Sequence, residues 1–144
     1  MSHNLPSSIL FICHLNSIRS PMGEGMMRKL VGDQIHIRSC GISKGNLDNL
    51  MVAVMKEKGV DMSSHEALSL TDLDDKSFDL IIAFTQNAAS AAEAVFAGQD
   101  VQIETWQTPD PTIGSLDVRA MMNNYRAVRD QIEGRLKRHF NITP

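Results

Sequence analysis

The architecture of this chain follows from one segment near its start, Ile9-Leu10-Phe11-Ile12-Cys13-His14-Leu15-Asn16-Ser17-Ile18-Arg19-Ser20-Pro21. Residues 8–12 are almost continuously apolar and partly β-branched, which predicts a short buried strand. After a polar loop, Ser20 can cap a helix and Pro21 suits the first helical position, so we expect a helix that runs to about Val31. Gly32 is the expected end of that helix. The segment therefore predicts a strand, a loop and a helix in immediate succession.

The same alternation of strand and helix continues along the chain. Further strands are predicted at 34–39, 78–84 and 101–105, and further helices at 47–58, 86–97 and 116–140. Alternation of this kind predicts an α/β fold with a parallel sheet and helices on both faces. Ligands of such folds bind at the carboxyl ends of the strands. The first of the loops at that edge contains residues 13–19.

The composition is that of an ordinary globular domain. The 144 residues are 42% hydrophobic and 22% charged with a formal net charge of -3, so we expect one folded domain over residues 1–144. The slightly acidic balance gives no support to nucleic-acid binding. The apolar run at residues 9–12 is too short for a signal peptide or a membrane span. Two cysteines, Cys13 and Cys40, fit a reducing cytosol, and the five histidines lack metal-ligand spacing. These features predict a cytoplasmic protein that uses no metal or other cofactor.

Cys13 and Arg19 point to attack of a thiolate on a tetrahedral oxyanion. The thiolate is the reactive form of cysteine, and a free thiol titrates near about 8.5, so activation needs nearby positive potential. The backbone N–H groups of residues 14–19 can form an anion-binding nest, and the following helix adds the positive end of its dipole. Arg19 adds a planar fork that matches two phosphate oxygens, and the Ser20 hydroxyl can donate to the thiolate. The spacing alone is a weak signal, since most buried cysteines are inert, but the flanking strand and helix favour a phosphate monoester site.

Asp110 is the candidate proton donor for the leaving group. It lies in a loop after the last predicted strand, at the same edge of a parallel sheet as Cys13. Pro111 biases Asp110 towards an extended conformation that helps to present its side chain. Asp-Pro pairs are also common in plain turns. Its place opposite the first loop favours a role as general acid and base.

These motifs together resemble the low-molecular-weight protein tyrosine phosphatase family, which includes thioredoxin-coupled arsenate reductases. The resemblance covers essentially the whole chain and is most specific at Cys13-(x5)-Arg19-Ser20-Pro21. Supporting matches are Glu24, Ser39, Ser64-His65, Phe78-Asp79-Leu80-Ile81 and Trp106 ahead of Asp110-Pro111.

The resemblance implies a three-layer flavodoxin-like fold with a four-stranded parallel sheet and a reaction through a phosphocysteine at Cys13. Asp110 would protonate the leaving oxygen and then activate water. Phosphate, sulfate or vanadate would bind on the loop formed by His14, Leu15, Asn16, Ser17, Ile18 and Arg19. In the family the loop asparagine is held in a left-handed conformation, which asparagine tolerates better than most residues. Asn16 matches it, and the residues that match its polar partners are Ser20, Ser39 and His65.

Three departures from the family pattern bear on substrate and redox behaviour. Leu15 replaces a usual glycine, which would strain the loop if a positive φ is required there. Ile18 replaces a second loop cysteine, so no disulfide can form inside the loop, and Cys40 is expected to be a small core residue. Thr112 and Ile113 replace aromatic residues after Asp-Pro, which weakens the case for phosphotyrosine. An aliphatic wall is expected instead, formed by Leu15, Leu47 and Ile113.

Three functions follow from these residues. The favoured one is a phosphomonoester hydrolase that acts on a phosphorylated protein or a small aryl phosphate. The second is an arsenate reductase. Thioredoxin-coupled reductases of the family resolve the arsenate adduct with cysteines near the third strand and following helix, but residues 83–90 contain none, which leaves only an external thiol as reductant. The third is a catalytically weak oxyanion-binding or protein-interaction module, which Leu15 favours and the joint presence of Cys13, Arg19, Ser20 and Asp110 opposes.

Overall fold

The computed structural model describes residues 5–114 and 117–142. Its strands and helices alternate along the chain as β1 (Ser8–Cys13), α1 (Arg19–Val31), β2 (His36–Gly41), α2 (Asn49–Lys56), β3 (Leu80–Ala83), α3 (Gln86–Val95), β4 (Gln102–Thr105) and α4 (Val118–His139). The predicted boundaries are within two residues of these, except that Leu116, the predicted start of the last helix, lies outside the described residues. Within the described ranges, no helix has an apolar stretch long enough to cross a bilayer.

The four strands form one parallel sheet in the order β2-β1-β3-β4, which confirms the predicted α/β architecture. The first strand is central, because Ile9 pairs with Ile37 on one side and with Leu80 on the other. Parallel neighbours end at the same edge of the sheet. The loops after β1, β2 and β4 therefore lie together at the edge where Cys13 ends the first strand.

Helices cover both faces of the sheet, and the side-chain alternation of β1 assigns each residue to one face. Ile9, Phe11 and Cys13 belong to a core shared with α1, α2 and α4. Leu10 and Ile12 belong to a second core that packs against α3. Cys13 is thus on the α1 face of the sheet, next to the start of that helix.

Two local predictions were wrong. Gln34, taken as the start of the second strand, lies in a short 3-10 helix at Gly32–Gln34, and β2 starts at His36. Ser20, taken as the N-cap of α1, lies in its first turn, and the N-cap is Ile18, without a side-chain capping bond. The Ser20 hydroxyl is instead used in the loop before the helix. The predicted end of α1 is confirmed, since Gly32 follows it as C-cap with a φ of 64°.

A charged cluster joins α4 to α2 on the α1 face of the sheet. The guanidinium of Arg129, a buried residue, donates to Glu57 at 2.8 Å and to the Val54 carbonyl oxygen at 2.7 Å. Arg126 binds the same carboxylate through two of its nitrogens. Hydrogen bonds from Arg126 and then Arg129 lower the pKa of Glu57 to about 2, from an ordinary value of 4.5.

Glu57→Gln is expected to be less stable than the wild type at neutral pH and to lose that difference in acid. The folded-state pKa of Glu57 lies below its unfolded value, so the carboxylate contributes stability above about pH 4.5 that is lost as the pH falls towards 2. Urea midpoints of the two proteins across this range measure the effect. Glu93→Gln, at an exposed residue of α3, is the matched control. A gap between the Glu57 variant and wild type that stays constant with pH would contradict the assignment.

Candidate active site

Cys13 ends the central strand where α1 begins. It is 3% exposed, and its sulfur lies 3.0 Å from the Ser20 hydroxyl oxygen. The backbone N–H of Ser20, in the first turn of α1, also donates to this sulfur over 3.4 Å. Both contacts favour negative charge on the sulfur, because each brings a donor and one comes from the positive end of a helix.

The Ser20 hydroxyl is shared among three groups. It accepts a hydrogen bond from the Asn16 amide at 2.8 Å, and its own hydrogen has two acceptors within reach. These are the Cys13 sulfur at 3.0 Å and the Cys40 carbonyl oxygen at 3.2 Å. An ionised sulfur is the stronger acceptor of the two, so the hydrogen turns to Cys13 when Cys13 is a thiolate.

The loop after Cys13 presents its backbone N–H groups without partners. Those of residues 14–19 donate to no acceptor in the described part of the chain. The carbonyl oxygens of Cys13, His14 and Leu15 accept hydrogen bonds from the segment that follows β2. In a trans peptide the N–H points opposite to the carbonyl, so the N–H groups of residues 14–16 point away from that segment. Consecutive free N–H groups of this kind are suited to binding an anion.

Asn16 fixes the shape of this loop. It has a φ of 56° and is fully buried. Its side-chain amide donates to the hydroxyls of Ser20 and Ser39, at 2.8 and 3.0 Å, and its side-chain oxygen accepts the N–H of Leu68 at 2.9 Å. Nε2 of His65 lies 3.0 Å from the Asn16 carbonyl oxygen. The structure thus brings the four predicted supporting residues into one network.

Glu24 extends the network into α1. The Ser39 hydroxyl donates to its carboxylate over 2.5 Å, and Nδ1 of His65 lies 4.0 Å from the same oxygen. Glu24 also pairs with Arg28 at 3.0 Å, one helical turn later. The family resemblance includes Glu24 but assigns it no role. Its position one turn into α1 could have predicted the contact with Ser39, because Glu24 faces the strand that carries Ser39.

Asn16→Ala is expected to lower both the free energy of unfolding and the affinity for phosphate. Alanine removes three side-chain hydrogen bonds and leaves the partly buried N–H of Leu68 without its acceptor, at a cost of roughly 1–3 kcal/mol. The left-handed φ costs a residue with a Cβ about 1–2 kcal/mol more. Asn16→Gly is the matched control, since it loses the same bonds but tolerates that φ. The free energy of unfolding in urea and the affinity for phosphate in calorimetry should both decrease from wild type to Asn16→Gly and from Asn16→Gly to Asn16→Ala. Equal values for the two variants would show that the left-handed φ has no cost for alanine, which would contradict the prediction.

Arg19 connects this loop to the loop after β4. One of its guanidinium nitrogens donates to the Thr108 carbonyl oxygen at 2.9 Å. The residue is half-buried and lines the same cleft as Cys13. Tethering one end of the fork leaves its other N–H groups available to phosphate oxygens.

Asp110 lies across the cleft, two residues after Thr108. One of its carboxylate oxygens accepts the backbone N–H of Thr112 at 2.9 Å and the Thr112 hydroxyl at 2.7 Å. Burial raises the pKa of Asp110, but the Thr112 hydrogen bonds and the nearby charges of Arg19 and His14 outweigh burial and lower it below the ordinary value. Asp110 is therefore a carboxylate in the free protein at neutral pH.

The cleft has a volume of about 290 Å³, and its rim is partly aliphatic. Leu15 and Leu47 line it and are 40% and 36% exposed. Ile113 was expected on the same wall, but its side chain lines a neighbouring cleft between the Asp110 loop and α4. That part of the predicted wall is wrong, because the turn at Asp110 directs Thr112, not Ile113, to the cleft that holds Cys13.

Two further expectations concern Leu15 and Cys40. Among the described non-glycine residues only Asn16 and Asn141 have a positive φ, so Leu15 does not strain the loop. Cys40 is fully buried in the core on the α3 face, which confirms the prediction of a core residue. Burial, followed by the nearby Cys13, raises the pKa of Cys40 to about 12. The described residues hold no cluster of three or more side chains suited to a metal ion.

The chain is similar to known proteins in sequence and in fold. A family model described as low molecular weight phosphotyrosine protein phosphatase matches residues 8–142. The chain is 28% identical to the glutaredoxin arsenate reductase of Synechocystis sp. over 90% of its own length and 92% of the relative. It is 32% identical to the arsenate reductase of Bacillus subtilis, over 90% of this chain and 91% of that one. The crystal structure of a tyrosine phosphatase from Erwinia amylovora shares the fold, with a TM-score of 0.80 and 21% identity over 100% of this chain and 98% of that one.

Proposed function

Because the chain belongs to the low molecular weight phosphotyrosine protein phosphatase family, we propose that it hydrolyses phosphate monoesters through a phosphocysteine at Cys13. One observation carries this proposal. The Cys13 sulfur lies beside an uninterrupted series of free N–H groups at residues 14–19, within reach of the Ser20 hydroxyl, in a cleft that also holds Arg19 and Asp110. Binding an oxyanion requires only the N–H groups and Arg19, whereas the thiol and the carboxylate have roles only in a reaction.

In the first step the Cys13 thiolate attacks phosphorus as the bond from phosphorus to the leaving oxygen breaks. The loop N–H groups and the Arg19 fork bind the three other phosphate oxygens, whose charge is spread out in the transition state. Asp110 gives a proton to the leaving oxygen. The products are a free alcohol or phenol and a phosphorylated Cys13.

In the second step a water molecule attacks the phosphocysteine, and Asp110 accepts a proton from that water. The sulfur–phosphorus bond breaks, inorganic phosphate leaves, and Cys13 returns to a thiolate. Ser20 assists here, since its hydroxyl oxygen lies 3.0 Å from the departing sulfur and its hydrogen can turn from the Cys40 carbonyl oxygen towards that sulfur.

The proton used in the first step enters with the substrate. Asp110 is ionised in the free protein because its pKa is lowered. A bound phosphate dianion reverses the local field and favours protonated Asp110. The reactive complex therefore carries one proton shared between Asp110 and the phosphate group.

The rim of the cleft favours a substrate with an apolar group next to the phosphate. Leu15 and Leu47 provide aliphatic contacts, and no Phe, Tyr or Trp is among the described residues that line the cleft. A phosphorylated protein side chain and a small aryl phosphate both fit these contacts. The two free cysteines suit the reducing cytosol in which we place this reaction.

Arsenate reduction is the second candidate, and the names of the curated relatives favour it. Arsenate has the shape and charge of phosphate, so the same loop would hold it while Cys13 forms an adduct with loss of water. Reduction of arsenic(V) to arsenic(III) then takes two electrons, which two thiols supply as they join in a disulfide. Cys40 is fully buried on the opposite face of the sheet, so both the attacking thiol and the electrons beyond Cys13 would come from an external thiol.

A parallel assay on the wild-type protein separates the two candidates. Initial rates are measured with p-nitrophenyl phosphate, with phosphotyrosine and with arsenate in the presence of glutathione, and acid-quenched samples are analysed by mass spectrometry. Hydrolysis of the aryl phosphate with a phosphorylated Cys13 peptide supports the proposal. Arsenite formation that depends on glutathione, without ester hydrolysis, would replace it with the second candidate.

A further inference from the structure

The segment that follows β2, residues 42–46, runs along the phosphate loop and bonds to it at successive positions. The N–H groups of Ile42, Ser43 and Gly45 donate to the carbonyl oxygens of residues 13, 14 and 15, at 3.0, 3.0 and 2.8 Å. The hydroxyl of Ser17 donates in return to the Asn46 carbonyl oxygen at 2.8 Å. This supporting segment thus satisfies the loop carbonyls that face away from the cleft.

Both ends of the supporting segment are fixed. At its start, the Gly41 N–H donates to the Leu68 carbonyl oxygen at 2.8 Å. Just beyond its other end, Asp48 caps α2 by accepting the Met51 N–H at 2.9 Å. The second Asp48 oxygen accepts the hydroxyl of Tyr125, a buried residue of α4, at 2.8 Å. The segment is therefore held against the body of the protein independently of the loop that it supports.

Gly45 packs tightly against the loop within the supporting segment. A Cβ at this position would lie 2.7 Å from the Ser17 hydroxyl oxygen and 3.2 Å from Cβ of Leu15. The first distance requires the Ser17 hydroxyl to leave its present position, and the second requires Leu15 to move by a few tenths of an ångström. A side chain at residue 45 would therefore disturb the bond between the Ser17 hydroxyl and the Asn46 carbonyl oxygen.

We propose that Gly45 and Ser17 are positioning residues, which hold the free N–H groups of the phosphate loop in their anion-binding arrangement through the supporting segment. The inference rests on the proposed function, because it assigns a role in binding the substrate phosphate. It extends that function to Gly45, which lies outside the loop, and to the hydroxyl of Ser17, which is bonded to the supporting segment. A shift of about 1 Å in such groups can cost about a hundredfold in rate.

The test uses Gly45→Ala, Ser17→Ala and the double variant, with Gly134→Ala in α4 as a control. Affinity for inorganic phosphate is measured by calorimetry, and iodoacetamide alkylation of Cys13 is followed against pH. Gly45→Ala is expected to weaken phosphate binding by roughly tenfold or more and to move the alkylation profile to higher pH. Ser17→Ala loses one hydrogen bond, worth about 1 kcal/mol or roughly fivefold. A Cβ at residue 134 meets only the flexible end of Arg138, so the control should match the wild type.

The double variant gives the sharpest result. Removing the Ser17 hydroxyl removes the closest clash of a Cβ at residue 45, so the double variant should bind phosphate no worse than Gly45→Ala alone. Additive losses, or a folded Gly45→Ala that behaves as wild type, would overturn the proposal. If Gly45→Ala does not fold, a wild-type phosphate affinity and alkylation profile in Ser17→Ala would overturn it. Alkylation needs no turnover, so the supporting role is tested even if phosphate esters are not hydrolysed, a result that would count against the proposed function alone.

Discussion

Cys13→Ser is expected to reduce aryl phosphate turnover by at least about 10⁴-fold, a loss typical of removing a catalytic nucleophile. Serine keeps the hydrogen-bonding capacity of the site but replaces the thiol with a hydroxyl, which is a much weaker acid and a poorer nucleophile. The contacts with the Ser20 hydroxyl and N–H can then no longer stabilise a charged nucleophile. Initial rates with p-nitrophenyl phosphate should show that turnover is lost. Calorimetric titration should show that the variant still binds inorganic phosphate.

Cys40→Ala is the matched control for this variant. It removes the other thiol, which is fully buried on the opposite face of the sheet, and it leaves intact the backbone carbonyl that Ser20 contacts. We expect turnover close to that of wild type, with a small loss of stability from the cavity. Wild-type turnover in Cys13→Ser, or lost turnover in a folded Cys40→Ala, would contradict the assignment of the nucleophile.

Asp110→Asn is expected to lower turnover by about 10²–10⁴-fold, the usual contribution of a positioned general acid or base. The loss should be larger for phenyl phosphate than for p-nitrophenyl phosphate, because a more basic leaving oxygen depends more on the donated proton. Asparagine keeps the size of the side chain and can still accept from Thr112 through its amide oxygen. Rates across a series of substituted phenyl phosphates give the slope of log rate against the pKa of the leaving phenol, which should be steeper in Asp110→Asn than in the wild type.

The wild-type pH profile tests the same assignment. The lowered pKa of Asp110 leaves it ionised in the free protein, so the required proton comes from the phosphate monoester, whose second pKa is about 6. We therefore expect kcat/KM to fall as the pH rises above about 6. Asp100→Asn, at an exposed residue between α3 and β4, is the matched control for Asp110→Asn and should retain wild-type rates. An equal loss for good and poor leaving groups in Asp110→Asn would exclude the general-acid role.

The order of elements and the place of the site could be predicted from the sequence because both depend on local patterns. The apolar run of β1 and the Ser-Pro start of α1 mark a strand and a helix with a loop between them. Parallel pairing then fixes which loops meet, because neighbouring strands end at one edge of the sheet. These steps place Cys13, Arg19 and Asp110 at one cleft, where the structure has them.

The contact of Ser20 with Cys13 was predicted from the chemistry of the loop, but its bond to Asn16 could not be predicted from local patterns. Ser-Pro at a predicted helix start is a strong capping signal, but the helix begins two residues earlier than that signal predicts, and the hydroxyl bonds to Asn16 and Cys13. Buried polar partners outweigh the local preference, because an Asn16 amide without acceptors would cost more than a missing cap. Only the family resemblance pointed to this network.

The support given by residues 42–46 carried no signal in the sequence at all. This segment has no periodic pattern, and Gly45 is one of nine glycines in the chain. Its role follows from how closely the loop approaches it, a distance set by the ends of β1 and β2 and by the cap of α2. Contacts between loops of this kind depend on tertiary structure, which propensity and spacing do not describe.

The left-handed turn at Asn16 has a consequence for the way an anion is received. Every polar atom of its side chain is already bonded inside the protein, so the loop is shaped when the chain folds rather than when an anion arrives. A flexible loop would lose conformational entropy when it binds an anion, whereas this loop has already lost that entropy when the chain folds. Association should accordingly show a single kinetic phase whose speed scales with anion concentration and reaches no plateau.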